Sequence, residues 1–182
     1  DLPYPMWNRE FYRSDDMLLC ISKQTKNLVE NVLRDHPKPE RIQYVPHGIN
    51  EKQYFPIVND FEFESFKEKI LGEDKDFVVL HVSRNIRRKN QSDIILAWRT
   101  FLDQLPVEKA KRCMLLMKTE AIFEHGTDLH VVINDLCDPE IHKVKIISNN
   151  LEEKQLNYLY NCSDAHMFMT DNEGWGLGLT ES

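Results

Sequence analysis

The sequence predicts an α/β fold, built on a parallel sheet with helices on both faces. Short runs of apolar and β-branched residues alternate along the chain with segments whose apolar residues recur at helical spacing. Glycine and proline separate several of these segments and mark the turns between them. Because a strand, a crossover helix and a second strand form a right-handed unit with parallel strands, this alternation predicts a parallel sheet.

Six apolar runs have the length and composition of buried strands. Phe77–Val82 is the strongest, because it combines three valines with a phenylalanine and a leucine. The predicted strands are Met17–Ile21, Ile42–Val45, Phe77–Val82, Cys113–Met117, Val144–Ile147 and Ala165–Met169. Pro46 and Gly48 interrupt the pattern after the second strand and predict a break between two parts of the chain.

Amphipathic segments between these runs predict the helices. Ser22 is a typical N-cap and begins a helix that runs to about Leu33. Asn150, with Glu153 three residues later, resembles a capping box and predicts a helix to Tyr160. The other predicted helices are Phe61–Leu71, Leu129–Leu136, a short helix after Gly178, and a helix with Ile94, Ile95, Trp98, Phe101, Leu102 and Leu105 on its core face.

The composition allows a globular domain and argues against several classes of partner. The 182 residues are 41% hydrophobic, which is enough for one full core. A net charge of −7 argues against general binding of nucleic acid or anionic membranes, so a few placed cations must hold any phosphate. No apolar run approaches the roughly 18 residues of a membrane span, and the first residues do not resemble a signal peptide.

The four cysteines predict free buried thiols. They are Cys20, Cys113, Cys137 and Cys162. Their wide separation lacks the short paired spacing of structural zinc ligands. Scattered free thiols are typical of a reducing compartment, which predicts a cytoplasmic protein. Two short polar pairs, Asp15–Asp16 and Asp171–Asn172, supply few oxygens for a hard cation, so we expect no metal site.

A basic segment follows the strongest predicted strand. Residues 83–90 have the sequence Ser-Arg-Asn-Ile-Arg-Arg-Lys-Asn, which places four cations in six positions of an acidic chain. Ligands of parallel α/β sheets bind beyond the carboxyl ends of the strands, where this segment lies. Arginine binds phosphate through a bidentate fork, and lysine adds a compact point charge. The pattern fits a phosphate site and fits a solvated basic loop equally well.

A glycine-rich segment follows the last predicted strand. Glycines alternate with other residues over 174–178, which lets the backbone approach a ligand closely. A helix that begins after these glycines would point N–H groups and the positive end of its dipole at an anion. Glu173 and Glu181 stand eight residues apart at its two ends. The spacing alone is compatible with a ligand-binding loop and with a plain strand-to-helix connection.

Together these segments resemble the family 4 glycosyltransferases, the "glycosyl transferases group 1" domain. Arg84 and Lys89, after a strand, look like the arginine and lysine pair of that family. Residues 173–181 are similar to its E-x7-E signature, with Trp175 in place of the usual aromatic residue. Residues 44–50 resemble the stretch in which these enzymes pass from one Rossmann-like domain to the next.

This resemblance implies a B-type fold, in which two Rossmann-like domains face each other across a cleft. Residues 1–50 would be the end of the N-terminal, acceptor-side domain and the interdomain linker. Residues 51–182 would be the C-terminal nucleotide-sugar-binding domain, incomplete at its C-terminus. Because elements of both domains are missing relative to the family, we expect the chain to be a fragment that is inactive on its own.

The resemblance also implies the site residues. The implied catalytic residues are Glu173, Arg84 and Lys89, and the implied donor-binding residues are Arg84, Lys89, Gly174, Trp175, Gly176, Leu177, Glu181 and Ile147. Arg84 and Lys89 would bind the donor diphosphate. Glu173 would hydrogen-bond the transferred sugar, and Glu181 would accept hydrogen bonds from the ribose. The backbone near Ile147 would contact the base.

The implied function is transfer of a hexose, with retention, from a nucleotide diphosphate sugar to a hydroxyl acceptor. The partners would be a UDP- or GDP-linked sugar and a glycan, lipid or protein acceptor, with no separate cofactor. One alternative is a nucleotide- or phospho-ligand-binding module without catalysis. Another is a different nucleotide-sugar enzyme on the same fold, such as an epimerase. The pair Glu173 and Glu181 favours sugar transfer, because phosphate binding alone does not need it.

Overall fold

A computed structural model describes residues 9–34, 39–72 and 75–182 of the chain. Its contacts group the chain into two compact units. The first unit comprises Asp1–Gly48 with Glu173–Leu177, and the second comprises Ile49–Asn172 with Gly178–Ser182. The division into acceptor-side and donor-binding domains near residue 50 stays a prediction.

The first unit contains a small parallel sheet with one helix packed beside it. Its elements are α1 (Arg9–Ser14), β1 (Leu18–Cys20), α2 (Lys23–Val32) and β2 (Ile42–Tyr44). Ser22 caps α2 as the sequence predicts, since its hydroxyl accepts a hydrogen bond from the N–H of Thr25 at 3.0 Å. Cys20, Val29 and Ile42 belong to the buried core between the sheet and α2.

The second unit contains a four-stranded parallel sheet. Its strands are β3 (Phe77–Val82), β4 (Cys113–Lys118), β5 (Val144–Ile147) and β6 (Ala165–His166). Their order across the sheet is β5-β4-β3-β6, with every pairing parallel. The helices of this unit are α3 (Phe61–Leu71), α4 (Gln91–Leu102), α5 (Val107–Ala110), α6 (Leu129–Leu136) and α7 (Glu153–Asn161), and α8 (Leu177–Glu181) ends within it.

Successive residues of the central strands point to opposite faces of this sheet, and both faces are covered. Val79 and Leu115 pack in one apolar cluster with Trp98 of α4 and Leu129 of α6. Val78, Leu80 and Leu116 pack in a second cluster with Leu71 of α3 and Leu159 of α7. The predicted fold class, a parallel Rossmann-like sheet with helices on both faces, is therefore confirmed.

The helix α7 begins later than the sequence predicts. Its N-cap is Glu152 and not Asn150. Glu152 and Gln155 cap each other, because each side chain accepts a hydrogen bond from the other residue's backbone N–H. The predicted capping box is wrong in register by two residues, although the helix itself is confirmed.

The last strand is shorter than predicted. Only Ala165 and His166 form ladder pairs with β3, although the apolar run continues to Met169. The carbonyl of Met167 forms its hydrogen bond with the imidazole of His81 at 2.9 Å. A side chain thus replaces the backbone ladder at the carboxyl end of β6.

The predicted core face of α4 is confirmed except at Leu105 and Phe101. The helix ends at Leu102, so Leu105 lies beyond it and packs half-buried against the same cluster. Trp98 has no exposed surface, whereas Phe101 is 37% exposed. The Phe101 ring packs against Phe77 and Trp98 with centroid distances of 5.9 and 5.7 Å, so one edge is covered and the other meets solvent. Phe101 is therefore a boundary residue.

The predicted free thiols are confirmed, because all four cysteines are buried and unpaired with one another. Within the described parts of the chain, none of the helices combines the length and the hydropathy that crossing a bilayer requires.

Candidate functional site

The carboxyl ends of β3 and β6 form the topological switch point of the four-stranded sheet. The chain proceeds from β3 to β4 and β5 on one side, and then returns to place β6 on the other side of β3. Ligands of open parallel sheets bind in the crevice that such a reversal creates. Two segments leave these strand ends: residues 83–90, here called the basic loop, and residues 167–172, here called the β6 loop.

Hydrogen bonds tie the basic loop to the β6 loop. The N–H of Asp171 donates to the Arg88 carbonyl at 2.9 Å, and the Arg88 guanidinium donates to the Asn172 carbonyl at 2.6 Å. Asn90, which has a left-handed φ of 46°, donates from its side chain to Asp171 Oδ1 at 2.7 Å. Arg88 therefore serves as a tie between the loops, and Asp171 accepts from Asn90.

Arg84 is the first cation of the basic loop, and it has a fixed backbone and an exposed side chain. Its carbonyl accepts hydrogen bonds from the Gln91 amide at 3.1 Å and from the N–H of Ile86 at 3.0 Å. The described residues offer no hydrogen bond or ion pair to the guanidinium groups of Arg84 and Arg87, and both side chains are exposed. These two arginines present positive charge to solvent at the switch point.

Lys89 differs from the arginines because it is 9% exposed. Its ammonium lies 4.8 Å from the ring centroid of Phe168 in the β6 loop, which is a cation–π contact. The 3-10 turn Arg87–Lys89 brings the side chain to this position. Because partial burial lowers the local dielectric constant, the electrostatic attraction between the Lys89 ammonium and a bound anion would be stronger than in water.

A buried polar network fixes the base of the basic loop. His81 has no exposed surface, and its ring nitrogens bond the Met167 carbonyl at 2.9 Å and Ser83 Oγ at 2.8 Å. Burial is the main cause that lowers the pKa of His81 to about 4, so the ring is neutral at pH 7. Gln91 donates to Ser83 Oγ and to Thr119 Oγ1, each at 2.9 Å. The network joins the ends of β3, β4 and β6.

Asn85 anchors the basic loop to the connection between β4 and α6. Its side-chain amide donates to the carbonyls of Glu120 and Thr127 at 3.1 and 2.6 Å, and its oxygen accepts from the N–H of Thr127 at 3.1 Å. Gly126 is required there, because a Cβ at that position would lie 2.2 Å from the Asn85 carbonyl oxygen. The basic loop is thus held on both sides, while Arg84 stays exposed.

Residues 173–177 of the glycine-rich segment group with the first unit, and Gly178 belongs to the second. Gly176 is buried and has a φ of +86°, a left-handed conformation that favours glycine. The ring of Trp175 packs edge-to-face on His47 with a centroid distance of 6.0 Å. Gly174 lies against Ile21, because a Cβ on Gly174 would be 3.1 Å from Cδ1 of Ile21. Glu173 is partly exposed.

Ile147 and Glu181, the other two predicted donor-binding residues, lie in the second unit. Ile147 ends β5 with a buried side chain, and its carbonyl accepts the N–H of Thr119 at 3.3 Å. Glu181 lies in α8 and accepts a hydrogen bond from the hydroxyl of Tyr160 at 2.8 Å. Arg84, Lys89, Ile147 and Glu181 therefore share one unit, and the segment 173–177 belongs to the other.

Sequence reasoning missed the residues that hold the basic loop. His81 carries a local signal, because a histidine inside the strongest apolar run must find polar partners when the strand is buried. Asn85 and Gln91 carry none, since Asn85 bonds Thr127, 42 residues away, and Gln91 bonds Thr119, 28 residues away. Tyr160, which bonds Glu181 from 21 residues away, was missed for the same reason.

No protein-family model matches this sequence, and no curated protein matches it. Solved structures do match. A sucrose-phosphate synthase from Thermosynechococcus elongatus superposes with a TM-score of 0.67 and 18% identity, over 97% of this chain and 40% of its own. The apo structure of OtsA, a trehalose-6-phosphate synthase, superposes with a TM-score of 0.73 and 14% identity, over 99% of this chain and 45% of its own. A glycosyltransferase from Rickettsia africae superposes with a TM-score of 0.63 and 19% identity, over 91% of this chain and 42% of its own.

The chain has the fold of part of a B-type glycosyltransferase, a parallel Rossmann-like sheet with helices on both faces. It spans less than half the length of the structures that it matches. Identities below 20% establish similarity of fold alone, so function must be argued from the residues of the site.

Proposed function

We propose that this chain is the donor-binding part of a retaining glycosyltransferase of family 4, which transfers a hexose from a nucleoside diphosphate sugar to a hydroxyl acceptor. The observation that carries the proposal is the state of Arg84. Its backbone is fixed at the switch point of the sheet, while its guanidinium is exposed and unengaged by the described residues. A rigidly based, unpartnered arginine suits binding of a diphosphate.

In this proposal Arg84 and Lys89 bind the donor diphosphate and stabilise the negative charge that develops as it leaves. Glu173 hydrogen-bonds the transferred sugar, and the backbone N–H groups of residues 174–177 face the sugar and phosphates. Glu181 accepts hydrogen bonds from the ribose, and the backbone near Ile147 contacts the base. The acceptor hydroxyl attacks on the face that the diphosphate leaves, which retains the anomeric configuration.

The solved structures support the choice of donor class. One of them is a trehalose-6-phosphate structure from E. coli bound with UDP-2-fluoro glucose, with a TM-score of 0.67 and 14% identity over 95% of this chain. We propose a UDP- or GDP-linked hexose as the donor, by analogy of fold. We assign residues 1–50 to the acceptor side and linker and residues 51–182 to the donor side. Because the chain spans 44% of that structure, we assign catalysis to the whole two-domain fold.

Arg84→Ala is expected to weaken nucleoside diphosphate binding at least tenfold, which is about 1.4 kcal/mol. Isothermal titration of the 182-residue chain with UDP, GDP and ADP would measure this loss and identify the preferred base. Arg99→Ala is the matched control. It removes the same charge from α4, where Arg99 forms an exposed pair with Asp103, and such pairs contribute little.

Binding that survives in Arg84→Ala would make the basic loop a solvated loop and remove the main support for a donor site. An equal loss in Arg99→Ala would indicate general electrostatic attraction. If a folded chain bound none of the three nucleotides, the proposed function would be wrong.

A further inference from the structure

Four aromatic rings of the second unit form a continuous row that contacts two of the predicted donor-binding residues, Lys89 and Glu181. They are Tyr54, Tyr160, His166 and Phe168, here called the aromatic row. Successive centroids are 5.9, 5.8 and 6.0 Å apart, and each contact is edge-to-face. Lys89 lies over the Phe168 end, as described above.

Glu181 is attached to this row through Tyr160. The Tyr160 hydroxyl donates to Glu181 Oε2 at 2.8 Å, and Tyr160 is only 7% exposed. Burial, and then the neighbouring Glu181 carboxylate, raise the pKa of Tyr160 above its ordinary value. The phenol therefore keeps its proton and remains a donor. A hydrogen bond to a carboxylate is stronger than one between neutral groups.

The backbone that leads to Glu181 also rests on the aromatic row. A Cβ on Gly178 would lie 3.3 Å from Cε1 of His166 and 3.6 Å from Cε2 of Phe168. The start of α8 is thus in close contact with two of the rings. Glu181 lines one cavity with Tyr54 and Tyr160. Burial is the main cause that raises the pKa of Tyr54 to about 12, and the Glu181 carboxylate raises it further.

We propose that Tyr160 is a positioning residue, whose hydroxyl holds the Glu181 carboxylate in the orientation that accepts hydrogen bonds from a nucleotide ribose. This inference rests on the proposed function, which gives Glu181 the ribose. A glutamate side chain loses rotamer freedom when it binds a ligand, at a free-energy cost. The hydrogen bond from Tyr160 restricts the carboxylate before the nucleotide arrives, so part of that cost is already met. In this arrangement Oε2 accepts from the phenol and Oε1 would accept from the ribose.

Tyr160→Phe tests the inference, because it keeps the ring in the aromatic row and removes only the hydroxyl. We expect this variant to weaken binding of the preferred nucleoside diphosphate about fivefold, as for loss of one hydrogen bond. The affinity for the matching 2′,3′-dideoxynucleoside diphosphate should change less than about twofold, since that ligand lacks the hydroxyls that Glu181 would bind.

Tyr158→Phe is the matched control on the same helix. Its hydroxyl also bonds a carboxylate, that of Asp60 at 3.2 Å, and Tyr158 is 5% exposed. This variant should lose comparable stability in thermal unfolding and leave the affinity for both nucleotides unchanged. The double variant Tyr160→Phe with Glu181→Ala should bind no more weakly than Glu181→Ala alone, because the two residues act through one contact.

The outcomes separate the two proposals. If Glu181→Ala weakens binding and Tyr160→Phe does not, the positioning role is overturned while the proposed function stands. Equal weakening of the ribonucleotide and its dideoxy analogue in Tyr160→Phe would show a general structural effect and also overturn it. If the native chain binds no nucleotide, the proposed function falls and the inference falls with it.

Discussion

Replacing Trp98 by alanine is expected to lower the free energy of unfolding by about 4 kcal/mol. Trp98 has no exposed surface and packs within the cluster formed by α4, α6 and one face of the four-stranded sheet. The substitution removes a large amount of buried apolar area and leaves a cavity that the surrounding strands cannot close. Urea unfolding followed by far-UV circular dichroism measures the loss without relying on the fluorescence of the deleted indole.

Phe101→Ala is the matched control for Trp98→Ala, three residues further along the same helix. Because Phe101 is 37% exposed, its removal should cost roughly 1 to 2 kcal/mol. Both substitutions leave alanine in α4, which favours the helix, so the difference between them reports burial. Equal losses in the two variants would contradict the assignment of Phe101 to the boundary of the core.

Elements whose signals are local are the ones that the sequence predicts accurately. The bounds of α3, α6, β3 and β5 agree with the prediction. Asp60 and Asp128 cap the two helices through their own side chains, and β3 is a continuous apolar run of the kind that parallel sheets bury. Each of these signals lies within a few residues of the element that it defines.

Elements that depend on distant partners are predicted less well. The β6 ladder stops early because the His81 ring, 86 residues away in sequence, takes the Met167 carbonyl. The sequence does not predict the short helices α1 and α5, since helices of six and four residues are too short to show a helical period of apolar residues. Their positions follow from packing and turns.

The candidate site divides in the same way. Topology places the basic loop at a strand end, so Arg84 could be proposed from the sequence. The sequence does not distinguish Arg88, which ties the loop to Asn172, from Arg84, which stays exposed, because that tie spans 84 residues. Neighbouring arginines of identical chemistry thus have different uses that only the tertiary structure separates.

Lowering the pH from 7 to 5 is expected to cost this protein about 2 kcal/mol of stability through His81 alone. The pKa of the buried ring is lowered to about 4, whereas the ordinary value is 6.5. Because the unfolded chain binds the proton more tightly than the folded one, protonation favours unfolding. The stabilisation is fully present above pH 6.5, and falls as the pH approaches 4. Urea unfolding at pH 7 and pH 5 measures the difference.

His81→Gln removes the titrating ring and should lose about 2 kcal/mol less than the native chain between pH 7 and pH 5. His130→Gln, at an exposed position, is the matched control and should retain the native pH dependence. If His81→Gln lost as much stability as the native chain, the neutral ring would not be the source of the pH dependence.

A neutral His81 also keeps the hydrogen-bond network beneath Arg84 intact at pH 7, because Nε2 can then accept from the Ser83 hydroxyl while Nδ1 donates to the Met167 carbonyl. The same titration should therefore weaken nucleotide binding as the pH falls toward 4, and His81→Gln should remove that additional dependence.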